Sequence, residues 1–340
     1  MMAALRRAKQ EVALLVALAD LGGLWGVDEV TAALSDFADA ACASALDFLL
    51  TDASEASRFI PVDPQQPSQA SGLVVLALGK HGARELNYSS DIDVIVLYDP
   101  EIAPLGPRAE PSSFFVRLTQ GLVRLMQERT GEGYVLRTDL RLRPDPASTP
   151  VAISVNSAFA YYESVGQNWE RAALIKARPV AGDLELGARF LDALKPFIWR
   201  KYFDFAAIAD IHAMKRQIHA VRGHEQIAVA GHDIKLGRGG IREVEFFVQT
   251  QQLVFGGRRA QLRGRRTLDM LDALNTDGWI SVDAVHDLSE AYRFLRALEH
   301  RLQMHEDEQT QRLPVDDDRL LAFAQFCGFA SIAAFGKALT

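Results

Sequence analysis

Two aspartates, Asp91 and Asp93, stand at the head of an apolar segment in LVVLALGKHGARELNYSSDIDVIVLYD, residues 73–99. If residues 92–98 form a strand, the two side chains share one face, with Cα atoms about 6.5–7 Å apart. Carboxylates this close repel one another when partly buried, unless a cation lies between them. Mg²⁺ binds oxygen ligands, usually where phosphates complete its shell. The spacing therefore indicates a site for a divalent metal and a phosphate.

A third carboxylate, Asp139, lies in GYVLRTDLRLRP, residues 133–144, which alternates over most of its length. The alternation predicts a strand whose Asp139 face also carries Arg137, Arg141 and Arg143. If this strand lies beside the first, about 4.8 Å away, the third carboxylate joins the pair. Three carboxylates can hold two metals about 3.5–4 Å apart for in-line phosphoryl displacement. The arginines would then bind phosphate oxygens through two-point contacts.

A lone D-x-D pair is more often a strand-end turn or a solvated edge than a metal site. Here it occurs with other features. A glycine, Gly79, follows one apolar strand, and two serines, Ser89 and Ser90, precede the D-I-D that opens the next. Together with Asp139 among its arginines, this pattern favours a nucleotidyltransferase sheet.

The elements that must position these residues can be predicted from periodicity. Apolar residues three and four apart predict helices before residue 58 and over 112–129, and almost throughout from residue 155. The Pro- and Gln-rich stretch 61–72 predicts a loop, and LVVLAL, residues 73–78, predicts a central strand. The fold class is therefore α+β and mostly helical, with a mixed sheet, flanking helices and a C-terminal helical bundle. The predicted domains are an N-terminal helical segment, the nucleotidyltransferase domain and the bundle: 1–60, 61–195 and 196–340.

The composition is that of a globular protein in a reducing, cytoplasmic setting. The 340 residues are 49% hydrophobic and 24% charged, and the net charge of −7 argues against a sequence-independent grip on nucleic acid. Cys42 and Cys327 cannot form a disulfide framework or a zinc site. The apolar run Val12–Ala19 is too short to span a membrane. It predicts an amphipathic helix that presents Leu14, Leu15, Leu18 and Leu21 on one face.

LGKHGARELNYSSDIDVIVLYD, followed by a distant third carboxylate, resembles the signature of the DNA polymerase beta-type nucleotidyltransferase superfamily. That superfamily usually has Gly or Ser after the turn glycine, whereas Lys80 follows Gly79 here. Ser89 and Ser90 are the alternative source of small hydroxyl contacts to phosphate.

A closer resemblance is to the bacterial glutamine synthetase adenylyltransferase/deadenylylase family. The shared motifs are GK-x-G-x-x-ELN-x-SSDID, R-x-D-x-RLRP, YYE-x-x-G-x-x-WER-x-A-x-IKAR, KLG-x-GGIRE-x-EF and DEQTQ-x-LP. In this sequence they occupy Gly79–Asp93, Arg137–Pro144, Tyr161–Arg178, Lys235–Phe246 and Asp307–Pro314.

Family enzymes are longer and carry two nucleotidyltransferase halves, of which the N-terminal half removes AMP from glutamine synthetase and the C-terminal half attaches it. ELNYSSDID and DEQTQRLP are similar to the N-terminal half, so the resemblance implies a separately expressed N-terminal part. The implied reaction is phosphorolysis, in which phosphate and adenylyl-tyrosyl glutamine synthetase give ADP and the unmodified enzyme. The implied partners are glutamine synthetase and the PII signal protein.

The resemblance also implies a set of site residues. Mg²⁺ or Mn²⁺ would be held by the catalytic aspartates Asp91, Asp93 and Asp139. ADP or ATP and phosphate would be bound by Gly79, Lys80, Ser89, Ser90, Arg137, Arg141 and Arg178. In GQNWERAALIKARP, Lys176 or Arg178 approaches a phosphate, or the segment is a salt-bridged helix with Trp169 in the core. Lys235 and Arg242 are further ligand candidates, or are fixed by Glu243 and Glu245 in a structural hinge.

Two other functions are alternatives. One is an adenylyl- or uridylyltransferase that modifies a different protein or transfers AMP from ATP to a protein tyrosine. The other is a catalytically silent module that binds nucleotide or PII. The three aspartates together count against the silent module.

Overall fold

A computed structural model of the chain describes residues 1–201, 229–306 and 309–340, with the backbone alone for His305 and Glu306. The chain divides into two compact units. The first comprises Met1–Leu86 and Ser90–Arg200, and the second comprises Asn87–Ser89 and Lys201–Thr340. Helices dominate both units and the first also contains a small sheet, which confirms the predicted α+β class.

The first unit begins with two long helices, as the sequence predicted for residues 1–58, and the loop over 61–72 is also confirmed. The apolar face predicted for the first helix lies at the surface of this unit, since Leu14, Leu15, Leu18 and Leu21 are all exposed. The helices of this unit are α1 (Met2–Leu21), α2 (Val27–Glu55), α3 (Gly79–Gly82), α4 (Pro111–Gln127), α5 (Val155–Ser164), α6 (Asn168–Ile175), α7 (Leu184–Ala193) and α8 (Lys195–Ile198).

The sheet is mixed, as predicted. Its strands are β1 (Leu73–Ala77), β2 (Ile92–Tyr98), β3 (Thr138–Asp139), β4 (Ala152–Ser154) and β5 (Arg178–Gly182). β1 pairs antiparallel with both β2 and β5, while β3 and β4 run parallel to β2 along its other edge. Every residue of β1 is buried, which explains its unbroken apolar sequence. The sheet thereby brings the start of β2 and the end of β3 to one place.

The strand predicted over residues 133–144 was wrong in its length, because only Thr138–Asp139 is extended and paired. The cause is the side chain of Asp139, whose Oδ1 accepts the backbone N–H of Arg141 at 2.8 Å. An aspartate that bonds the backbone two residues on forms a turn in place of a ladder.

The loop after this turn is closed by Arg143, which does not lie on a common strand face with Arg137 and Arg141. Its guanidinium donates hydrogen bonds of 2.8–3.0 Å to four backbone carbonyls, those of Leu140, Pro146, Thr149 and Pro150. Arg143 therefore satisfies loop backbone groups, and the expected row of three arginines on one face was wrong.

In the described part of the second unit, helices surround an apolar core that includes Leu271, Leu298 and Phe335. They are α9 (Ile241–Phe255), α10 (Thr267–Thr276), α11 (Val282–Glu306), α12 (Asp317–Phe326) and α13 (Ile332–Leu339), with a 3-10 turn at Ala260–Leu262. Within the predicted bundle, residues 202–228 lie outside the described residues, and so do Asp307 and Glu308 of the last motif.

Three residues from the ELNYSSDID motif, Asn87–Ser89, belong to this second unit and contact α11. Buried Arg296 donates to Oδ1 of Asn87 and lies 3.3 Å from Oε2 of Glu299. The ring of Tyr88 meets His300 edge-on, at 5.4 Å between centroids. Glu299 and His300 are fully buried, although a long amphipathic helix usually presents its charged and polar side chains to solvent. No helix in the described ranges is long and apolar enough to cross a membrane.

Candidate functional site

The structure brings Asp93 and Asp139 side by side. The two residues are Cα partners in the parallel pairing of β2 with β3, so their side chains project from one face, with backbones about 4.8 Å apart. The N–H of Ile92 donates to the carbonyl of Arg137 at 2.8 Å and fixes this register. Asp91 stands two residues before Asp93, just ahead of the strand, and the predicted neighbourhood of the three aspartates is thus present in the backbone.

Arg141 is bonded to the third of these aspartates. Its Nε lies 3.0 Å and 2.8 Å from the two carboxylate oxygens of Asp139, and its side chain is 83% exposed. The hydrogen bonds from Arg141 hold the pKa of Asp139 below its usual value. The pKa of Arg141 is raised chiefly by Asp139, and also by the charges of Asp91 and Asp93. One guanidinium therefore sits in the field of all three carboxylates.

The three aspartates fit a divalent metal by the chemistry of their donors, which are the hard oxygen ligands that Mg²⁺ and Mn²⁺ prefer. Within the described ranges, no three His, Cys, Asp or Glu side chains are already grouped closely enough to hold such an ion. The Asp139 carboxylate is instead engaged by Arg141. A metal bound here would have to take the place of the arginine on Asp139.

The glycine turn predicted after β1 packs against the side chain of Asp93. Gly79 has φ +53°, and a Cβ built on it would lie 2.5 Å from Oδ2 of Asp93. A side chain at position 79 is therefore excluded both by the backbone conformation and by the carboxylate. The role of Gly79 supported by these contacts is to make room for Asp93.

Replacing Gly79 with alanine is expected to push the Asp93 carboxylate aside and to strain the turn. We expect a loss of about 1–2 kcal/mol in the free energy of unfolding, the usual cost of a left-handed residue with a Cβ, and a larger fractional loss of turnover. Urea denaturation and initial rates would measure the two effects. Gly131→Ala is the matched control, since its added methyl group would meet no atom within 4 Å other than those of its own residue and its two chain neighbours. Equal losses in both variants would contradict the role of Gly79.

The other predicted phosphate contacts from this motif occupy different settings. Lys80 lies in α3, and its carbonyl accepts the N–H of Glu85 at 2.7 Å. Ser90 is buried in the first unit, directly before Asp91. Ser89 is grouped with the second unit, where its N–H donates to Oε1 of Gln303 at 2.8 Å. Phosphate binding by these three residues stays a prediction.

Arg137 lies beside a cavity. Its Nη1 donates to the hydroxyl of Tyr134 at 2.8 Å, and its guanidinium lies over the Tyr134 ring. With Arg124 and Leu140 it lines a cavity of about 520 Å³. Phosphate binding by Arg137 also stays a prediction.

Lys176 and Arg178 both form buried or nearly buried ion pairs. Nζ of Lys176 lies 3.0 Å from Oε2 of Glu85, and both side chains are almost wholly buried. Arg178 binds both carboxylate oxygens of Asp39. These contacts favour the salt-bridged alternative for this segment, but Trp169 is 39% exposed, so its expected place in the core was wrong.

Sequence reasoning missed Asp39 and His81 as parts of this region. Asp39 lies in α2, far along the chain from both of its partners, and no local motif marks it. His81 lies inside the recognised motif and is fully buried beside Asp39. The one available signal for His81 was its position inside the glycine turn. That position indicates a role only once Asp39 is known to lie beside it.

The glycine pair before α9 does not present an open anion site. The N–H of Gly239 donates to Oε2 of Glu243 at 3.2 Å, so a carboxylate from α9 itself already accepts the N–H that an anion would use. Arg242 lies 3.7 Å from Glu245, and the N–H of Lys235 bonds Asp233. These contacts favour the structural alternative for the four residues.

Comparison with known proteins links both parts of the chain to nucleotidyltransferases. Residues 1–193 match the family model described as glutamate-ammonia ligase adenylyltransferase, and residues 211–339 match the model of GlnD PII-uridylyltransferase. Relatives named bifunctional glutamine synthetase adenylyltransferase/adenylyl-removing enzyme occur in Xanthobacter autotrophicus, 60% identical over 99% of this chain, and in Rhizobium meliloti, 59% identical over 100%. A third, from Rhodopseudomonas palustris, is 56% identical over 99%. The chain covers 34% of the length of each of these relatives, corresponding to their N-terminal third.

Proposed function

Because this chain belongs to the glutamate-ammonia ligase adenylyltransferase family, we propose that it removes AMP from adenylylated glutamine synthetase by phosphorolysis. In this reaction an oxygen of inorganic phosphate attacks the phosphorus of the tyrosine-bound AMP. The bond between that phosphorus and the tyrosine oxygen breaks, the oxygen takes up a proton, and ADP leaves.

The observation that carries the proposal is the in-register pairing of Asp93 with Asp139, whose carboxylate is bonded to the exposed side chain of Arg141. A phosphoryl-transfer centre needs positive charge at the place where the phosphate oxygens bind. The three carboxylates would supply the anionic half of such a centre, and Arg141, bonded to Asp139, is an exposed arginine beside them. The similarity of ELNYSSDID to the AMP-removing half of the family sets the proposed direction.

Asp91, Asp93 and Asp139 would hold the divalent metal, and a bound Mg²⁺ or Mn²⁺ would neutralise phosphate charge and assist departure of the phenolate. Arg141 has its own part in this centre. Its exposed side chain can leave Asp139 and turn to the phosphoryl oxygens, where its planar fork suits two-point binding. Arg137, beside its cavity, is the second cationic candidate for the incoming phosphate.

The nucleophile needs little help from a base, since inorganic phosphate is already anionic near neutral pH. The leaving tyrosine oxygen needs more, because a phenol has a pKa of about 10. Stabilising negative charge on that oxygen is therefore the main demand on the site. The aspartates would meet it indirectly, by holding the divalent cation that stabilises this charge.

We also propose that the second unit takes part in control by PII. The support is the match of residues 211–339 to a PII-uridylyltransferase model. Ser89, Tyr88 and Asn87, which lead into the aspartate pair, are held within that unit by contacts to α11.

Incubation of adenylylated glutamine synthetase with the chain and Mg²⁺, with and without phosphate, tests the proposal. We expect ADP only when phosphate is present, together with loss of AMP from the tyrosine. Transfer of AMP from ATP to unmodified glutamine synthetase, without phosphorolysis, would support adenylyl transfer. Nucleotide or PII binding with neither reaction would support the silent module.

A further inference from the structure

Arg178, at the start of β5, is bonded to Asp39 of α2 through both ends of its guanidinium. Nη1 lies 2.7 Å from Oδ2 of Asp39, and Nη2 lies 2.9 Å from Oδ1. The two side chains are 14% and 22% exposed, so water competes weakly for the contact. A two-point bond between arginine and carboxylate fixes the orientation as well as the distance of its partners.

The same pair also holds the glycine turn of α3. Arg178 donates to the carbonyl of Gly82 at 3.2 Å and to that of His81 at 3.1 Å. Oδ1 of Asp39 lies 2.7 Å from Nε2 of His81. Burial lowers the pKa of His81 despite the neighbouring carboxylate, and because a carboxylate oxygen can only accept, Nε2 is the donor in this contact. Three contacts therefore tie a turn of four residues to one ion pair.

The first residue of that turn, Gly79, packs against the carboxylate of Asp93. Gly79 leaves no space for a Cβ beside the Asp93 carboxylate. The N–H of Leu78 donates to the Asp93 carbonyl at 2.9 Å, which links the turn to β2 through the backbone as well. A displacement of α3 would therefore change the surroundings of the Asp93 carboxylate.

We propose that Arg178 and Asp39 are positioning residues, which fix the glycine turn behind Asp93 and act on the reaction through that turn. The inference rests on the function proposed above. It gives Arg178 a role other than phosphate ligand, since its four hydrogen bonds end on Asp39, His81 and Gly82. It also gives α2, outside the recognised motifs, a part in the catalytic centre.

Two substitutions break the pair in different ways. Arg178→Lys keeps the positive charge and loses the two-point bond, while Asp39→Asn keeps the shape and loses the negative charge. We expect each to weaken Mn²⁺ binding, followed by electron paramagnetic resonance, by about ten- to a hundredfold, as is usual when residues that orient metal ligands are changed. The kcat for ADP formation should fall while KM for phosphate stays the same. The double variant should lose no more Mn²⁺ affinity and kcat than the more impaired of the two single variants, because the two residues act as a unit.

Asp36 provides the matched control. It lies on α2 three residues before Asp39, and its carboxylate pairs with Arg84 of the same motif at the surface. Asp36→Asn removes an exposed ion pair close to the same turn and should leave Mn²⁺ affinity and kcat unchanged.

A rise in KM for phosphate in Arg178→Lys that Asp39→Asn does not share would overturn the proposal and make Arg178 a substrate ligand. Unchanged Mn²⁺ affinity and kcat in both variants would overturn it too. If Asp39→Asn does not fold by circular dichroism, Arg178→Lys decides the matter alone. Mn²⁺ affinity is measured without the reaction, so a wild-type chain that binds Mn²⁺ but forms no ADP rejects the proposed function while the metal titration still tests this inference.

Discussion

Replacing Asp93 with asparagine is expected to lower the rate of ADP formation from adenylylated glutamine synthetase at least about a hundredfold, the usual loss when one charge-stabilising group is removed from such a centre. Asparagine keeps the shape of the side chain and removes the charge that recruits a cation. Asp139→Asn should have the same effect, since the two residues are direct partners across β2 and β3. Initial rates at saturating phosphate measure both.

These losses should leave the fold intact. The amide oxygen of asparagine at position 139 can still accept the N–H of Arg141, so the turn that ends β3 is retained. Asp99→Asn is the matched control, because Asp99 directly follows the opposite end of the same strand as Asp93. Turnover above about a tenth of the wild-type rate in Asp93→Asn would contradict a hundredfold role for this carboxylate.

The second large effect is on stability and concerns Lys176. Lys176→Met is expected to lower the free energy of unfolding by about 3–5 kcal/mol, the usual cost of breaking a buried ion pair by removing one partner. That partner is Glu85, at 3.0 Å, and both side chains are nearly inaccessible to water. Urea denaturation followed by circular dichroism measures the change.

Two further variants separate the stability cost of breaking a buried ion pair from the cost of removing a lysine side chain. Lys195→Met removes the same side chain from an exposed pair with Asp192, and should change the free energy of unfolding by less than about 1 kcal/mol. Replacing both Glu85 and Lys176 by apolar residues should recover most of the loss. A Lys176→Met variant as stable as Lys195→Met would show that the buried pair contributes little.

The parts of the fold that depend on local pattern could be predicted. The run of buried β-branched residues in β2 marks a central strand, and the glycine before Lys80 marks the turn. The proximity of Asp139 to Asp93 followed from the expectation of adjacent strands. In each case the determining interactions lie within a few residues or within one strand pair.

The misjudged parts depend on partners that are distant in sequence or on competition for one hydrogen-bonding group. Alternation alone could not show that Asp139 would capture the N–H of Arg141 and end β3 after two residues. The burial of Glu299 depends on Arg296, which also binds Asn87, 209 residues away. The bond of Arg178 to Asp39 could not be foreseen either, because Asp39 lies 139 residues earlier in the chain.

The central claim is that aspartates from neighbouring strands hold a divalent cation. Titration of the chain with Mn²⁺, followed by electron paramagnetic resonance, tests it most directly, since the measurement needs neither glutamine synthetase nor turnover. We predict that the wild-type chain binds Mn²⁺ and that Asp93→Asn and Asp139→Asn each bind it at least about tenfold more weakly. Equal Mn²⁺ affinity in the wild type and both variants would contradict the claim.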